Sequence, residues 1–502
     1  MANLINTLNG LVWATPLILL TFGGAVLYSI VLKFCNIINI KLQWKLLKTG
    51  GGSQEGISPF ETFCSVVAYR VAVGNIGGVM VAILFGGPGA VLWMPITALV
   101  TSAISYAENS LGQVYKVRLD NQYRGGPYFY MANGIKWKHL GKAMAVIFAL
   151  FATIGVPFMV TGPSASNIAM AFENSLGIPR IASGIVVGIL LFLVIAGGIR
   201  RIASVSTIIV PFMTVGYLLL TAITLIGNAS AVPGAISTIC ASAFNGSAMF
   251  GGMMGGAFSY GVKRAVNSSG AGFGETPPSA AAAETPHPAT QGLVTAFSVY
   301  IDVAVCICSG LMAIVTDCFN VLGPDGSTYL HIGQGSTQMA AQAATNTAGV
   351  VWVQEGANTV LPGIGGILVA IMLACFAYST CVAYYYEGEA GLAYLCRNKS
   401  PEFRSKLIWG IRIAMPIFFA LWSVVSAGTV WAVSEVMFGL MAWFNLVACL
   451  MLIPTVKKVN DDYFDQLKSG VKDPYFNPKK LGIEHADIWM DINADRIAAE
   501  KK

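Results

Sequence analysis

Apolar residues run along this chain in long blocks separated by short polar breaks. Residues 11–32 carry no charge, and at 1.5 Å rise per residue a helix of that length crosses the roughly 30 Å hydrocarbon core of a bilayer. Blocks of this kind fall near residues 11–33, 60–86, 88–115, 142–172, 180–199, 203–228, 246–285, 289–320, 363–396, 407–428 and 431–456. The pattern predicts an all-α membrane protein of about 11 transmembrane helices. No basic n-region or small-residue cleavage site marks the first block as a leader, so it is expected to be a retained span.

The seventh block is exceptional, because Lys263, Arg264 and a glycine-serine patch interrupt it. A lipid-facing helix does not tolerate such groups, so this block needs a protein-lined or aqueous setting. Lysine and arginine fall in the loops 34–59, 116–142, 200–202 and 397–406 and after 456, while the opposite loops hold none and Arg180 sits at a span edge. The positive-inside rule then places the amino terminus outside and the carboxyl terminus in the cytoplasm of a cell (inner) membrane protein. The tail from residue 459 is polar with scattered aromatic residues, a cytoplasmic appendage too short to be a separate catalytic domain.

Composition agrees: 11% of residues are charged and 55% hydrophobic, against about a quarter charged in ordinary globular chains. The net charge of +6 reports loop topology, not nucleic-acid binding. Cys64, Cys306, Cys308, Cys375, Cys381 and Cys449 lie in apolar segments without zinc-type spacing, so neither a structural metal nor a disulfide framework is expected.

Glycine interrupts two spans where it weakens a helix by about 0.5–1 kcal/mol per residue. The second contains VAVGNIGGV (71–79) and the seventh NSSGAGFG (267–274). These are the first spans of two sets of five, dividing the chain into 1–59, 60–228, 229–456 and the tail 457–502. An inverted pair of five-helix repeats with broken first helices is a transporter pattern: half-helix N-termini grip an anionic carboxylate and freed carbonyls coordinate a cation. Close helix packing is the competing explanation, preferred for Gly23, Gly24, Gly197 and Gly198.

Several motifs carry a family resemblance: GISPFE (56–61), GNIGGV (74–79), GGPGAVLWM (86–94), YAENSLGQVY (106–115), GGPYFYM (125–131), HPATQGL (287–293) and FAYSTCVAYYYEGE (376–389). Together, and in this order, they resemble the alanine or glycine:cation symporters. The resemblance implies a leucine-transporter-like 5+5 fold with one extra N-terminal helix, and sodium-coupled symport of a small amino acid. It implies sodium carbonyl ligands from Ala68 and Val71, hydroxyl ligands from Ser379 and Thr380, substrate-carboxylate donors in the amides of Val73 and Gly74, and Asn75 buttressing the break.

The chain departs from the family where Phe-Ser-Asn-Glu-Ala-Gly is usual: Asn267, Ser268, Ser269 and Gly270 stand there, so the aromatic ring and the acid are both missing. Ala165 replaces a glutamine, Tyr384 a tryptophan and Val73 a threonine. These changes imply a pocket of altered volume and polarity, open to a more polar amino acid.

Arg70, Glu108, Asp302, Lys263 and Arg264 are ionisable groups in or near spans and so are functional candidates, Arg70 foremost. His287 is read as loop structure. Rival readings are a channel, which needs a continuous polar pore, and proton coupling, which needs a membrane carboxylate and is weakened by Gly270. No catalytic constellation marks the chain as an enzyme. A monomer is expected, with the bilayer, sodium and substrate as its partners.

Overall fold

The computed structural model describes residues 2–13, 15–48, 56–244, 254–344 and 348–500. Among them eight helices are long and apolar enough to cross a membrane, and a bent pair makes a ninth span. In chain order the elements that build the site are α1 (Thr15–Val31), α2 (Pro59–Arg70), α3 (Gly77–Gly86), α4 (Ala90–Val114), α5 (Lys138–Leu176), α6 (Arg180–Ile195), α7 (Gly198–Gly227), α8 (Met254–Ser269), α9 (Pro277–Ala281), α10 (Pro288–Val315), α11 (Gly365–Leu395), α12 (Pro401–Trp422), α13 (Ala427–Met451) and α14 (Ile453–Lys468). Each predicted block coincides with one of these helices or, for the second and seventh, with a helix in two pieces. The predicted start of the seventh, residues 246–253, lies outside the described residues, as do 49–55 of the first polar loop and 345–347 of the long later one.

The α6 helix has 16 residues, about 24 Å at helical rise, because Pro179 opens it and Gly198, at φ 67°, stops it. The stretch that the blocks leave as a loop between 320 and 363 carries structure of its own in its described residues. Asn320–Leu322 pairs antiparallel with Tyr329–Ile332, and the short helix Val350–Asn358 buries Trp352 completely. Its elements are shorter than a membrane span, which hid them from a search for long apolar runs.

The start of α2 follows from its sequence. Ser58 Oγ accepts from Glu61 N–H at 3.2 Å, Glu61 Oε2 accepts from Ser58 N–H at 2.8 Å, and Pro59 takes the first helical position. That capping box satisfies two otherwise orphaned donors. Twelve residues later the helix stops, and α3 continues at 57° to it. The α8 helix stops at Ser269, and α9 resumes at Pro277.

Both broken spans lie in the interior of the bundle. The α10 helix packs along α4, α8 against α3 and α4, and α2 against α7, α10 and α11. Within α5, residues Phe151–Val160 form a π-helical stretch around Pro157 and pack on α11 and α13. Such widened turns are frequent at functional sites.

Candidate functional site: a cavity between two helix breaks

In the first break Val71 and Ala72 leave helical geometry and Val73–Asn75 form one tight 3-10 turn. Asn75 Oδ1 accepts from Ala72 N–H at 2.8 Å, closing the turn. Its Nδ2 donates to Asp302 Oδ1 at 2.6 Å. Ser268 Oγ donates to the same carboxylate oxygen at 2.8 Å. Asp302 on α10 thus holds the end of α8 and the first break together.

The second break turns on three glycines with positive φ: Gly270 (57°), Gly272 (93°) and Gly274 (79°). An L-side chain in the left-handed region costs about 1–2 kcal/mol per residue, so the glycine spacing in NSSGAGFG encodes this turn. Gly274 N–H donates to Glu108 Oε2 at 3.2 Å, and Asn445 Nδ2 donates to that oxygen at 2.8 Å and to the Gly272 carbonyl at 3.0 Å. Fully buried Arg70 donates to the Ser269 carbonyl at the end of α8 and to Ser105 Oγ at 2.7 Å. The carboxylates acting electrostatically on Arg70 are Glu108, Asp302 and Glu275.

Between the breaks lies a cavity of about 40 Å³, room for about three waters at roughly 10–15 Å³ each. Val73, Gly74, Asn267, Ser268 and Tyr384 line it, joined by Ser164 on α5 and by Trp431, Ser434 and Phe438 on α13. Val73 and Gly74 begin the 3-10 turn, where N–H groups have no partner within the turn. A Cβ at Gly74 would meet nothing within 4 Å. Asn267 Nδ2 is buried without a hydrogen-bond partner. One wall therefore offers donors to an anion and the other is aromatic.

The remaining predicted substrate residues stand behind this wall. Asn75 is buried against Asp302. Ala165 is buried one residue along from Ser164, whose turn of α5 faces the cavity instead. The Ser269 carbonyl is taken by Arg70. At Gly270 an added Cβ would collide with the Glu275 carboxylate, so an acid absent at position 270 reaches the same break from position 275.

Of the four predicted sodium ligands, Thr380 Oγ1 and the Ala68 carbonyl meet at 2.7 Å. Val71 caps α2, one turn beyond Ala68. The Ser379 hydroxyl goes elsewhere, to the Phe376 carbonyl at 2.9 Å and towards Met213 Sδ at 3.5 Å. The chemistry present is carbonyl and hydroxyl oxygen, which suits a hard monovalent cation.

Lys263 and Arg264 pair with Glu435 on α13, at 3.8 and 3.3 Å. Asn9 Nδ2 donates to Glu435 Oε2 at 2.8 Å and Trp13 Nε1 to its carbonyl at 2.8 Å. Glu435 adjoins the cavity residue Ser434. His287 caps α10, its Nδ1 accepting from Ala289 N–H at 3.1 Å and its Nε2 facing Asp462 of α14 at 3.2 Å. Burial holds His287 below the ordinary histidine range. The tail docks beside it: Trp489 is fully buried and donates to the Gln113 and Val114 carbonyls at 3.2 Å. Phe476 N–H donates to the Pro286 carbonyl at 3.0 Å.

Glu275, Glu387 and Glu435 are absent from the sequence candidates although each is a carboxylate in or near an apolar block. The rule that flags intramembrane ions was the signal available for them.

Two interrupted helices around a small polar cavity in an apolar bundle define a multi-pass membrane transporter of the leucine-transporter fold. The fold is shared with MhsT, solved in complex with L-phenylalanine, at a TM-score of 0.52 and 14% identity over 88% of this chain and 99% of that one. The chain belongs to the sodium:alanine symporter family, whose model matches residues 1–478. It is 39% identical over 492 residues to the putative sodium/proton-dependent alanine carrier protein YrbD of Bacillus subtilis (strain 168), covering 97% of this chain and 98% of that one. It is 34% identical to the sodium/alanine symporter AgcS of Methanococcus maripaludis over 90% and 94% of the two chains. Its identity to the probable sodium/glutamine symporter GlnT of Bacillus subtilis is 31%, over 94% and 93%.

Proposed function

We propose that the chain carries alanine or glycine together with sodium across the cell (inner) membrane by alternating access. The observation that carries this reading is the small polar cavity between the breaks. Its small volume, with donors on one wall and Tyr384 and Phe438 on the other, favours a compact amino acid. The expectation of a more polar amino acid rests on Asn267 and Ala165: Asn267 lines the cavity with an unpartnered Nδ2, while Ala165 stands outside the wall.

The amides of Val73 and Gly74 and the free Asn267 amide hold the substrate carboxylate. Sodium lies between the Ala68 and Val71 carbonyls and the Thr380 hydroxyl, with Ser379 swinging in when the ion arrives. Residues 60–228 and 229–456 act as the two five-helix repeats, the amino terminus lies outside and the tail inside. One chain holds both breaks, so one copy suffices. No covalent bond is made or broken in the cycle.

The test is uptake of labelled amino acids into proteoliposomes with and without an inward sodium gradient. Sodium-driven uptake of alanine or glycine over glutamine is expected, and uptake indifferent to sodium would refute the coupling. Thr380→Val should raise the sodium concentration for half-maximal uptake about tenfold, the loss of roughly one hydrogen-bond-scale contact of 1.4 kcal/mol. Ser379→Ala should raise it less.

A further inference from the structure

One buried acid beside the cavity is used by none of this. Glu387 sits on α11 one helical turn from Tyr384, which lines the cavity. Its side chain is fully buried, and neither carboxylate oxygen has a hydrogen-bond partner. The charged groups acting on it are Glu275, from the second break, and Glu108 on α4, both of its own sign. Tyr69 on α2 and Tyr128 lie within reach of its field. The hydroxyls of Tyr128 and of neighbouring Tyr386 are also buried and unpartnered. Among the described residues no arginine pairs with it: Arg124 pairs with Glu389 at 2.6 Å and lies over the Tyr386 ring, and Arg70 holds Ser269 and Ser105.

A carboxylate buried without a protein donor or counter-ion is among the most costly arrangements a protein can hold, and the cost is removed when the group binds a cation. Glu387 is not part of that cavity's wall, and among the described residues no group of three or more His, Cys, Asp or Glu side chains could hold a metal ion. A proton needs none, since it occupies one carboxyl oxygen and turns an acceptor into a donor.

Resting on the transport reading above, we propose that Glu387 is a proton-binding site of the transport cycle, with Glu275 as its acidic neighbour at the second helix break. When the break moves and the substrate leaves, Glu387 meets water and releases the proton, and it takes one up again before the cavity closes. A carboxylate in the membrane is the feature that the sequence lacks at Gly270, and the fold supplies it from two other positions.

The experiment uses the full chain in proteoliposomes loaded with a pH-sensitive dye, an imposed inward sodium gradient and labelled alanine, and reads protons moved per alanine. A ratio near one is expected for the unaltered protein, and at least a tenfold lower ratio for Glu387→Gln, whatever uptake rate remains. An unchanged ratio in E387Q overturns the proposal. Alanine uptake by the unaltered protein without proton movement overturns it too and leaves the transport reading standing. Absence of alanine uptake by the unaltered protein overturns the transport reading and takes the proposal with it. Should E387Q fail to insert, the unaltered protein decides. An apolar carbodiimide takes the proton of a buried carboxylic acid and adds to its oxygen, rearranging to a stable acylurea. Peptide mass mapping should find the adduct on Glu387, and an unmodified Glu387 in protein modified elsewhere would refute the assignment.

Discussion

The two helix breaks do the same topological job with different fastenings. The first is closed from within by a neutral amide: Asn75 caps Ala72 and leans on Asp302. The second is held from outside, by groups of neighbouring helices that reach its buried backbone: Glu108 accepts from Gly274 N–H and Asn445 donates to the Gly272 carbonyl. Arg70 takes the carbonyl end of α8, and beyond the break Gln113 Nε2 takes the Ala280 and Ala283 carbonyls at the end of α9, at 2.5 and 3.1 Å, with Lys116 Nζ on the Ala283 carbonyl at 3.0 Å. Donors and positive charge at helix C-termini are favourable because the last carbonyls are unpaired and the helix dipole is negative there. A break closed by its own side chain keeps its shape as helices move. A break held by its neighbours changes when those neighbours move, which fits the second break for gating and the first for binding.

The largest effect expected from disturbing this contrast comes from Arg70→Met. It strips the α8 end of its donor and leaves Glu108, Asp302 and Glu275 without their common cation. Losing one partner of a buried charge network costs about 3–5 kcal/mol, so sodium-driven uptake should vanish and the thermal midpoint should drop. Retained uptake would show that the second break does not depend on Arg70. Next is Asn75→Ala, which leaves the Ala72 N–H and the Asp302 carboxylate each short of a partner, about 1–3 kcal/mol. Alanine affinity measured by titration calorimetry should fall about tenfold or more, while the protein still folds.

The smallest effect is a pH dependence at Lys116, which lies just past α4 over the rings of Tyr123 and Trp489, at 4.2 and 4.6 Å. Burial pushes its ammonium down to about 7, against an ordinary 10.5. Between those values the unfolded chain binds a proton that the folded chain does not, so stability rises as pH climbs from 7 towards 10 and is flat below 7. In Lys116→Met the thermal midpoint should be flatter over that window. An equally steep curve would mean that another group titrates.

How much was legible beforehand differs between the breaks for a physical reason. Positive φ demands glycine, so NSSGAGFG announced its own turn, and Gly74-Asn75 announced the other through an amide in an apolar run. Side-chain direction was not legible: Ala165 sits beside Ser164, which lines the cavity, and Ser379 beside Thr380, which meets the Ala68 carbonyl, because one residue along a helix is a rotation of about 100°. Long-range partners were equally hidden. Glu435 lies about 170 positions from the Lys263 and Arg264 it neutralises, and nothing local to Gly270 reveals that Glu275 folds back over it.

The central claim, that a small amino acid binds with sodium between the two breaks, is tested most directly at Gly74. Its backbone φ lies outside the left-handed region and a Cβ there enters open space, so Gly74→Val fills the cavity and leaves the turn intact. Alanine binding to purified protein, measured by titration calorimetry in sodium and in potassium, should appear in sodium only and be abolished in Gly74→Val at an unchanged thermal midpoint. Equal alanine affinity in Gly74→Val and the unaltered protein would place the substrate elsewhere and contradict the account.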